Sequence, residues 1–379
     1  MTPQFHSLPI VDRRDETADS LSIAFAVPLA LREDYRFRAG QFVTLRATVG
    51  RESLRRAYSI CVPEQAYADS GELRIGVRRV AGGRFSNWLA DTARPGQTLE
   101  VMTPDGRFGV RPQPGAARHF VGFAGGSGIT PMLSLIATLL QAEAGSRFTL
   151  VYGNRSSATI MFLEALEDLK NRFLERFRMH HVLSAEPGEI ELLDGLLDEA
   201  RCRAFLHTLI PATSIDEAFV CGPDPMMDAA EAALRGAGLA PARIHIERFG
   251  VPLPASGAAA PAGSASSAGA TASPMAGPAT GADASGASDI VIVIDGKSRS
   301  LKLASNGPAL LDAGLAAGLN LPFSCKGGVC CTCRARVLEG EVRMDRNYTL
   351  EPHEIEAGFV LTCQAHPMSE RVVVSYDER

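Results

Sequence analysis

The sequence lacks three features that would link it to a nucleic acid, a membrane or a secretion route. Its 38 Lys and Arg residues are outnumbered by 43 Asp and Glu residues, so there is no surplus of basic charge for a phosphate backbone. Its longest apolar helix candidate, Met132–Leu140, is far shorter than the roughly 20 residues that cross a bilayer. The first residues contain no apolar signal core. We therefore expect a cytoplasmic protein that binds neither nucleic acid nor membrane.

One internal stretch lacks the residues that build a core. Residues 251–288 are almost wholly Ala, Gly, Ser, Pro and Thr, and Asp283 is their only charged residue. Such a stretch cannot bury enough apolar surface to offset the entropy of ordering, so it predicts a flexible linker. The linker would separate a body, residues 1–250, from a C-terminal module, residues 289–379.

The body is predicted to contain two domains. Residues 1–114 hold short apolar runs separated by turn signals, which predicts an antiparallel β-barrel or sandwich. Residues 115–250 alternate strands with helices, which predicts a doubly wound α/β domain with a parallel sheet. The module begins with two strands around Asp295-Gly296 and a helix at Ala309–Ala317, and further strands follow, one of them about Cys363.

Four cysteines of the module have the spacing of an iron–sulfur site. They are Cys325, Cys330, Cys333 and Cys363. The first three form C-x4-C-x2-C, which with a remote fourth cysteine is the plant-type [2Fe–2S] pattern, and Gly327 and Gly328 would let backbone amides approach the sulfurs. A zinc site is the main alternative, although zinc sites usually have two C-x2-C-like halves. Disulfides do not suit a chain without an export signal, and Cys331 lies outside the ligand spacing.

Two motifs in the first domain suit a flavin nucleotide. Arg56, Tyr58 and Ser59 form an R-x-Y-S sequence on a predicted strand, where alternation puts the first two on one face and Ser59 on the other. A guanidinium group suits phosphate oxygens, and an aromatic face suits a flat ring. Gly83 and Ser86 open a predicted short helix, whose N-terminus would cradle a diphosphate. Taken singly, a core tyrosine and an N-cap serine would also explain these residues.

Three turns follow predicted strands of the second domain, and the first and third suit a nicotinamide dinucleotide. The first contains Gly125, Gly126, Ser127, Gly128 and Thr130. Its amides and the following helix would attract a pyrophosphate, although it is not the G-x-G-x-x-G fingerprint. The second contains Cys221, Gly222, Pro223 and Met226, and a lone cysteine at a strand end is more often a small buried apolar residue. The third contains Arg155 and Ser156, which suit the 2′-phosphate of NADPH better than the bare ribose of NADH. A solvated surface arginine is the alternative for Arg155.

These motifs resemble those of the ferredoxin–NADP⁺ reductase family, here joined to a module that resembles the β-grasp fold of plant-type ferredoxins. The resemblance implies FAD, NADPH and a [2Fe–2S] cluster as cofactors, with FMN left open as an alternative flavin. It implies that Arg56 pairs with the flavin phosphate, that Tyr58 packs on the isoalloxazine ring and that Ser59 hydrogen-bonds near the flavin N5. Cys221 would then lie close to the site of hydride transfer.

The resemblance also implies a function. Hydride would pass from NADPH to the flavin, and single electrons would pass from the flavin to the cluster and then to a partner oxygenase. The stretch from Cys325 to Tyr348 looks most like the reductase subunits of bacterial phenylacetyl-CoA epoxidases, which implies a di-iron oxygenase as the partner. A reductase for another di-iron or Rieske oxygenase, a redox-sensing module and a zinc-binding interaction module are the alternatives.

Overall fold

The computed structural model describes residues 4–186, 188–249 and 287–378. The chain divides into two compact units, with the boundary after Phe249. Most of the predicted linker, residues 251–286, lies outside the described residues. Its last two residues are not linker, because a strand begins at Ala287 and Ser288 pairs with Leu303 of the next strand. No helix in the described ranges is long and apolar enough to cross a membrane.

The first part of the body is an antiparallel β-barrel. Its strands are β1 (Phe5–Thr17), β2 (Ser20–Ala26), β3 (Phe42–Val49), β4 (Glu52–Ser59), β5 (Glu72–Arg78) and β6 (Thr98–Met102), and its helices are α1 (Glu64–Ser70) and α2 (Arg84–Thr92). The strand order is β4-β3-β6-β1-β2-β5, and a bridge between Ile60 and Ile75 joins the two ends of the sheet. Fully buried residues such as Ile23, Val43 and Val77 fill the interior. The closure confirms the barrel and excludes the sandwich.

The second part of the body is a doubly wound α/β domain, as predicted. Its strands are β7 (His119–Gly125), β8 (Arg147–Asn154), β9 (Phe177–Leu183), β10 (Glu217–Cys221) and β11 (Ile244–Glu247), and its helices are α3 (Ile129–Ala142), α4 (Leu163–Arg172), α5 (Glu199–Thr208) and α6 (Asp224–Gly236). All strands are parallel in the order β11-β10-β7-β8-β9. The order reverses between β7 and β10, and ligands of such sheets bind at this switch point, outside the carboxyl ends of the strands.

Helix α3 packs against the barrel. The Ser134 hydroxyl donates to the Val62 carbonyl at 2.7 Å, and the Glu64 amide donates to Thr138 Oγ1 at 3.2 Å. A Cβ at Gly76, on β5, would lie 2.3 Å from Thr130 Cγ2. Strand β5 therefore approaches the start of α3 too closely for any side chain larger than glycine at this position.

The module contains a five-stranded mixed sheet and a separate two-stranded pair. Its elements are β12 (Ala287–Ile294), β13 (Lys297–Ala304), α7 (Leu310–Ala316), β14 (Arg334–Glu339), β15 (Val342–Met344), α8 (Pro352–Glu356), β16 (Phe359–Leu361), β17 (Ala365–Pro367) and β18 (Arg371–Ser375). The order β13-β12-β18-β14-β16, with β12 and β18 parallel, is the expected β-grasp arrangement. The strand predicted about Cys363 was wrong, because this residue lies in the turn between β16 and β17.

Candidate functional site

The R-x-Y-S residues lie on β4, beside one edge of the closed barrel. The antiparallel register pairs Tyr58 with Val43, Arg56 with Leu45 and Ser59 with Phe42. Directly opposed residues share a face of the sheet, so Arg56 and Tyr58 lie on the face of the buried Val43 and Leu45, and Ser59 lies on the other. The register therefore has the alternation that the sequence predicted.

Two hydroxyl groups lie buried on the Ser59 face. Ser59 is 3 % exposed and Thr44 is fully buried, and neither side-chain oxygen has a hydrogen-bond partner among the residues that the structure describes. Buried hydroxyls without partners are rare in folded proteins and usually indicate a group that completes the site. Tyr58 is half-buried, with its ring centroid 6.2 Å from that of Phe85, and burial raises the pKa of its phenol. These residues fit a flavin with an apolar ring and polar edge atoms.

The start of α2 supplies backbone donors close to Tyr58. Gly83 is the N-cap residue, and no side chain caps the helix. The Ser86 hydroxyl accepts a hydrogen bond from the Val80 amide at 3.1 Å, so it braces the preceding turn rather than the helix end. A Cβ at Gly83 would lie 2.8 Å from Ser86 Oγ. The first amides of α2 thus remain for an external anion such as a diphosphate.

The glycine-rich turn after β7 and the turn after β10 meet at the switch point. Ala124 pairs with Cys221 in the parallel register. A Cβ at Gly128 would lie 2.0 Å from the Cys221 carbonyl oxygen, and a Cβ at Gly222 would lie 2.9 Å from the Gly125 amide nitrogen. Two backbones in direct contact leave no space for side chains, so these glycines are required by packing.

The remaining residues of the two turns surround this contact. A Cβ at Gly125 would lie 2.7 Å from both Met226 Sδ and Pro223 Cδ. The Thr130 hydroxyl donates to the Ser127 carbonyl at 2.9 Å and is buried against the barrel. Gly126, with φ of +51°, and Ser127 are the half-exposed residues of the first turn. They are the positions at which a pyrophosphate can reach the backbone of this turn.

Cys221 and Glu247 are neighbours on β10 and β11. The Cys221 thiol is fully buried, and burial raises its pKa, so it is a neutral thiol. Glu247 pairs with Cys221 in the register, and its Oε2 atom is buried without a hydrogen-bond partner in the described part of the chain. Burial raises the pKa of Glu247 to about 8, which keeps the carboxyl group protonated at neutral pH. No sequence signal indicated this pairing, because the two residues are brought together by the sheet.

The third predicted turn follows β8. Arg155 is 73 % exposed, and its Nη2 atom lies 3.8 Å from Asp19 Oδ2 of the barrel. Ser156 is the N-cap of a short 3₁₀ turn, Ser157–Thr159, and forms a reciprocal capping box with Thr159. The Ser156 hydroxyl oxygen is therefore already used within the turn, whereas the Arg155 guanidinium projects into solvent.

Arg78, at the end of β5, was not predicted as a site residue. Its guanidinium donates to both carboxylate oxygens of Asp19, at 3.1 and 3.2 Å, and to the Thr159 carbonyl at 3.4 Å. A Cβ at Gly126 would lie 2.6 Å from its Nη1 atom. Arg78 therefore connects the barrel with two of the nucleotide turns. The consecutive charges of Arg78 and Arg79 at a strand end were the only sequence signal for it.

The cluster cysteines converge in the module. Cys330, Cys333 and Cys363 are buried, and Cys325 is partly exposed. Their thiols interact as two pairs, Cys325 with Cys330 and Cys333 with Cys363. Among the residues that the structure describes, no group of three or more His, Cys, Asp or Glu side chains could hold a single metal ion. Interactions of Cys333 with Cys330 and of Cys363 with Cys325 connect the two pairs, so the four thiols form one group, as the predicted cluster requires.

Backbone amides point at the cluster thiols. The Gly327 amide lies 3.3 Å from Cys325 Sγ, and the Gln364 side-chain amide lies 3.6 Å from Cys363 Sγ. The pKa of Cys325 is lowered to about 6, first by the hydrogen bond from Cys330 and then by backbone amides of the loop. Donors aimed at sulfur stabilise the thiolate form that binds iron, so the loop fits a [2Fe–2S] cluster.

The turn of the loop is made differently from the prediction. Gly328 has φ of +79°, but Gly327 is not in the left-handed region, and Lys326 (φ +53°) and Cys331 (φ +56°) are. The Cys331 sulfur lies 3.2 Å from Thr349 Oγ1. The hydroxyl of Ser324, next to the predicted ligand Cys325, is buried without a hydrogen-bond partner in the described ranges, as expected where a bound group completes the site.

Three family models match the chain in consecutive segments. They are the oxidoreductase FAD-binding domain over residues 7–109, the oxidoreductase NAD-binding domain over residues 123–232 and the 2Fe-2S iron-sulfur cluster binding domain over residues 292–368. The chain belongs to the family of electron-transfer reductases that join these three domains, and its cofactors are FAD, a nicotinamide dinucleotide and a [2Fe–2S] cluster.

The relatives include a 1,2-phenylacetyl-CoA epoxidase subunit of Escherichia coli K12. It is 42 % identical over 99 % of this chain and 98 % of its own length. The ferredoxin reductase component of 3-ketosteroid-9-alpha-monooxygenase from Rhodococcus rhodochrous is 35 % identical over 96 % of this chain and 94 % of its own. The structure of phthalate dioxygenase reductase covers 98 % of both chains with a TM-score of 0.55. At 22 % identity this last likeness shows the fold alone.

Proposed function

We propose that the protein is the reductase component of a multicomponent oxygenase, with NADPH as electron donor and phenylacetyl-CoA epoxidase as partner. The observation that carries the partner is the 42 % identity to the Escherichia coli 1,2-phenylacetyl-CoA epoxidase subunit over nearly the whole of both chains. A match of this extent includes the barrel, the α/β domain and the module in one order. The similarity of residues 325–348 to the reductase subunits of such epoxidases points to the same partner, a di-iron oxygenase.

The protein positions the cofactors and provides the hydrogen-bond donors and charges that surround them. When bound, the FAD accepts hydride from the nicotinamide, and the [2Fe–2S] cluster carries single electrons onward. Ser59 and the neutral Cys221 and Glu247 side chains offer hydrogen-bond donors without charge in a buried environment. Arg56 is exposed, and its Nη1 atom donates to the neighbouring Arg55 carbonyl, which leaves further donors of its guanidinium for a flavin phosphate.

Arg155 supports the choice of NADPH. Its side chain is 73 % exposed and follows the second parallel strand, where the adenosine ribose of a dinucleotide is bound in related sheets. A guanidinium group binds a phosphate through charge-assisted hydrogen bonds, whereas a ribose hydroxyl is bound better by a carboxylate. The 2′-phosphate of NADPH is the feature that this arginine would recognise.

Anaerobic reduction followed by visible spectroscopy tests the proposal. NADPH should bleach both the flavin and the cluster bands, and NADH should do so with a lower kcat/KM. Arg155→Ala should lower kcat/KM for NADPH by roughly 10- to 150-fold, since a charge-assisted hydrogen bond contributes roughly 1.5–3 kcal/mol, and leave NADH nearly unchanged. Arg235→Ala, an exposed arginine on α6, is the matched control. A wild type that uses NADH equally well would refute the assignment of the 2′-phosphate.

The relatives also provide a second candidate for the partner. Besides the steroid monooxygenase component, a glycine betaine monooxygenase reductase subunit from Pseudomonas aeruginosa is 31 % identical over 90 % of this chain and 87 % of its own. Mixing the reduced protein with each oxygenase and its substrate distinguishes the partners, because only the cognate oxygenase should form product in proportion to NADPH oxidised. Coupling to another oxygenase, but not to phenylacetyl-CoA epoxidase, would replace the partner and leave the electron chain intact.

A further inference from the structure

Asp19 is a barrel residue at the edge of the nucleotide turns. It lies in the two-residue turn, Ala18-Asp19, between β1 and β2. Its Oδ1 atom accepts a hydrogen bond from the Thr17 hydroxyl at 2.9 Å, and its carbonyl accepts one from the Arg79 amide at 2.8 Å. The turn is therefore held by its own hydrogen bonds and presents the carboxylate in a fixed position.

Two guanidinium groups share this carboxylate. Arg78 binds it through two hydrogen bonds, at 3.1 and 3.2 Å, and Arg155 approaches Oδ2 at 3.8 Å. Burial opposes ionisation, but the hydrogen bonds from Arg78 and Thr17 outweigh it, so the pKa of Asp19 is lowered. One negative charge thus offsets part of the two positive charges that face the carboxyl ends of β7 and β8.

We propose that Asp19 is a specificity-determining residue, whose carboxylate at Arg78 and Arg155 lowers the preference of the site for a 2′-phosphorylated dinucleotide. The inference rests on the proposed binding of that phosphate by Arg155. A 2′-phosphate near Arg155 interacts unfavourably with Asp19, whereas NADH carries no charge at this position. The diphosphate, which both dinucleotides share, interacts equally with Asp19 in the two complexes. Asp19 therefore changes the ratio of the two affinities.

A second carboxylate at the turn is held differently. Glu186 accepts hydrogen bonds from the Ser157 amide at 2.7 Å and from its hydroxyl at 3.0 and 3.1 Å. It is thus bound to the backbone of the turn, while Asp19 is bound to the guanidinium groups themselves. Asp19→Asn removes this charge and keeps one acceptor oxygen for Thr17 and Arg78 Nη2, while the hydrogen bond from Arg78 Nε to the second oxygen is lost.

The test compares NADP⁺ and NAD⁺ binding to the full-length oxidised protein by isothermal titration calorimetry. Asp19→Asn should tighten NADP⁺ relative to NAD⁺ by about three- to tenfold, as expected when one charge that opposes a nearby phosphate is removed from a solvent-exposed site. Asp19→Glu retains the charge and should keep the wild-type ratio. Asp15→Asn neutralises a carboxylate on the same hairpin that pairs with Arg13, and it should also leave the ratio unchanged.

A double substitution tests whether Asp19 acts on the phosphate that Arg155 binds. In the Arg155→Ala background, Asp19→Asn should change the ratio by less than about twofold, since the effect runs through the phosphate held by Arg155. An unchanged ratio in the single variant, or equal weakening of both dinucleotides, would show that Asp19 only supports Arg78 and would overturn the proposal. A wild type that prefers NAD⁺ would refute the choice of NADPH, whereas a rise in the affinity for NADP⁺ relative to NAD⁺ in Asp19→Asn would still support the role of Asp19.

Discussion

The body and the module build their cofactor sites in opposite ways. In the module, three of the four predicted cluster ligands lie within nine residues, Cys325–Cys333, and amides of the same loop point at the sulfurs. In the body, the site combines Ser59, Gly83, Gly128, Cys221 and Glu247, which come from five separate places along the chain. The module's site is thus mainly local in sequence, and the body's site exists only when the barrel and the parallel sheet are both formed.

This difference predicts how each site fails. A loop site depends on its ligands one by one, because each thiolate forms a direct bond to iron. A site made where two strand ends meet depends on backbone contact, because residues such as Gly128 and Cys221 touch through main-chain atoms. Substitutions should therefore abolish one site without affecting the other, and their severity should follow the kind of contact removed.

The largest effect is expected at the cluster cysteines. Cys325→Ser, Cys330→Ser, Cys333→Ser or Cys363→Ser should remove iron, sulfide and the cluster absorbance, because serine does not replace the thiolate. Flavin reduction by NADPH should stay within about twofold of wild type, as expected for independent sites. Iron analysis and stopped-flow spectroscopy measure the two properties. Cys331→Ser should retain the cluster, and its loss from that variant would show that the ligand set is wrong.

A smaller but still severe effect is expected at Gly128. Gly128→Ala places a Cβ 2.0 Å from the Cys221 carbonyl oxygen, so the two turns must separate. Misplacing the nicotinamide by about 1 Å should slow flavin reduction roughly 100-fold. Cluster content should not change. Gly236→Ala, at the end of α6 where the nearest atom is 3.9 Å away, is the matched control. Normal reduction by Gly128→Ala would mean that the contact of the turns is not required for hydride transfer.

The smallest effect is expected at Glu247 and concerns pH. Its pKa is raised to about 8, above the ordinary value of 4.5, so the folded protein binds one more proton than the unfolded chain between these pH values. Stability should therefore fall as pH rises from about 5 to 8 and then level off. Glu247→Gln should remove this dependence and raise the temperature of flavin release at pH 8 above that of the wild type.

The control for this prediction is a second glutamate. Glu175→Gln, at an exposed position after α4, should reproduce the wild-type pH dependence of flavin release. A dependence that persists unchanged in Glu247→Gln would show that another group is responsible. An equal flavin-release temperature of Glu247→Gln and the wild type at pH 8 would also show that another group is responsible.

The sequence alone was sufficient to predict those parts of the fold and the site whose residues lie close together along the chain. The cysteine spacing, the glycine-rich turn and the alternation of strands and helices identified the module, the nucleotide turns and the parallel sheet. It was insufficient for elements and site residues whose contacts are with residues distant in the chain. Strand β1, with Pro9 and a polar second half, has no regular alternation and was missed, as were α1 and α5. The end of the sheet at Glu247–Phe249 was placed near the flavin, but the pairing of Glu247 with Cys221 and the position of Asp19 were missed, because they depend on strand register and on a barrel turn that reaches the nucleotide loops.

The position of β18 has a consequence for the order of events during synthesis. Strand β12 opens the module but pairs on one side with β18, the last strand, so its sheet remains incomplete until residue 375 has been made. Among the described residues of the body, the last strand ends at Glu247. At about 5–20 residues per second, roughly 6–26 seconds separate the two points. The body can therefore fold and take up its flavin on the ribosome, whereas insertion of the iron–sulfur cluster must wait until translation has passed the module.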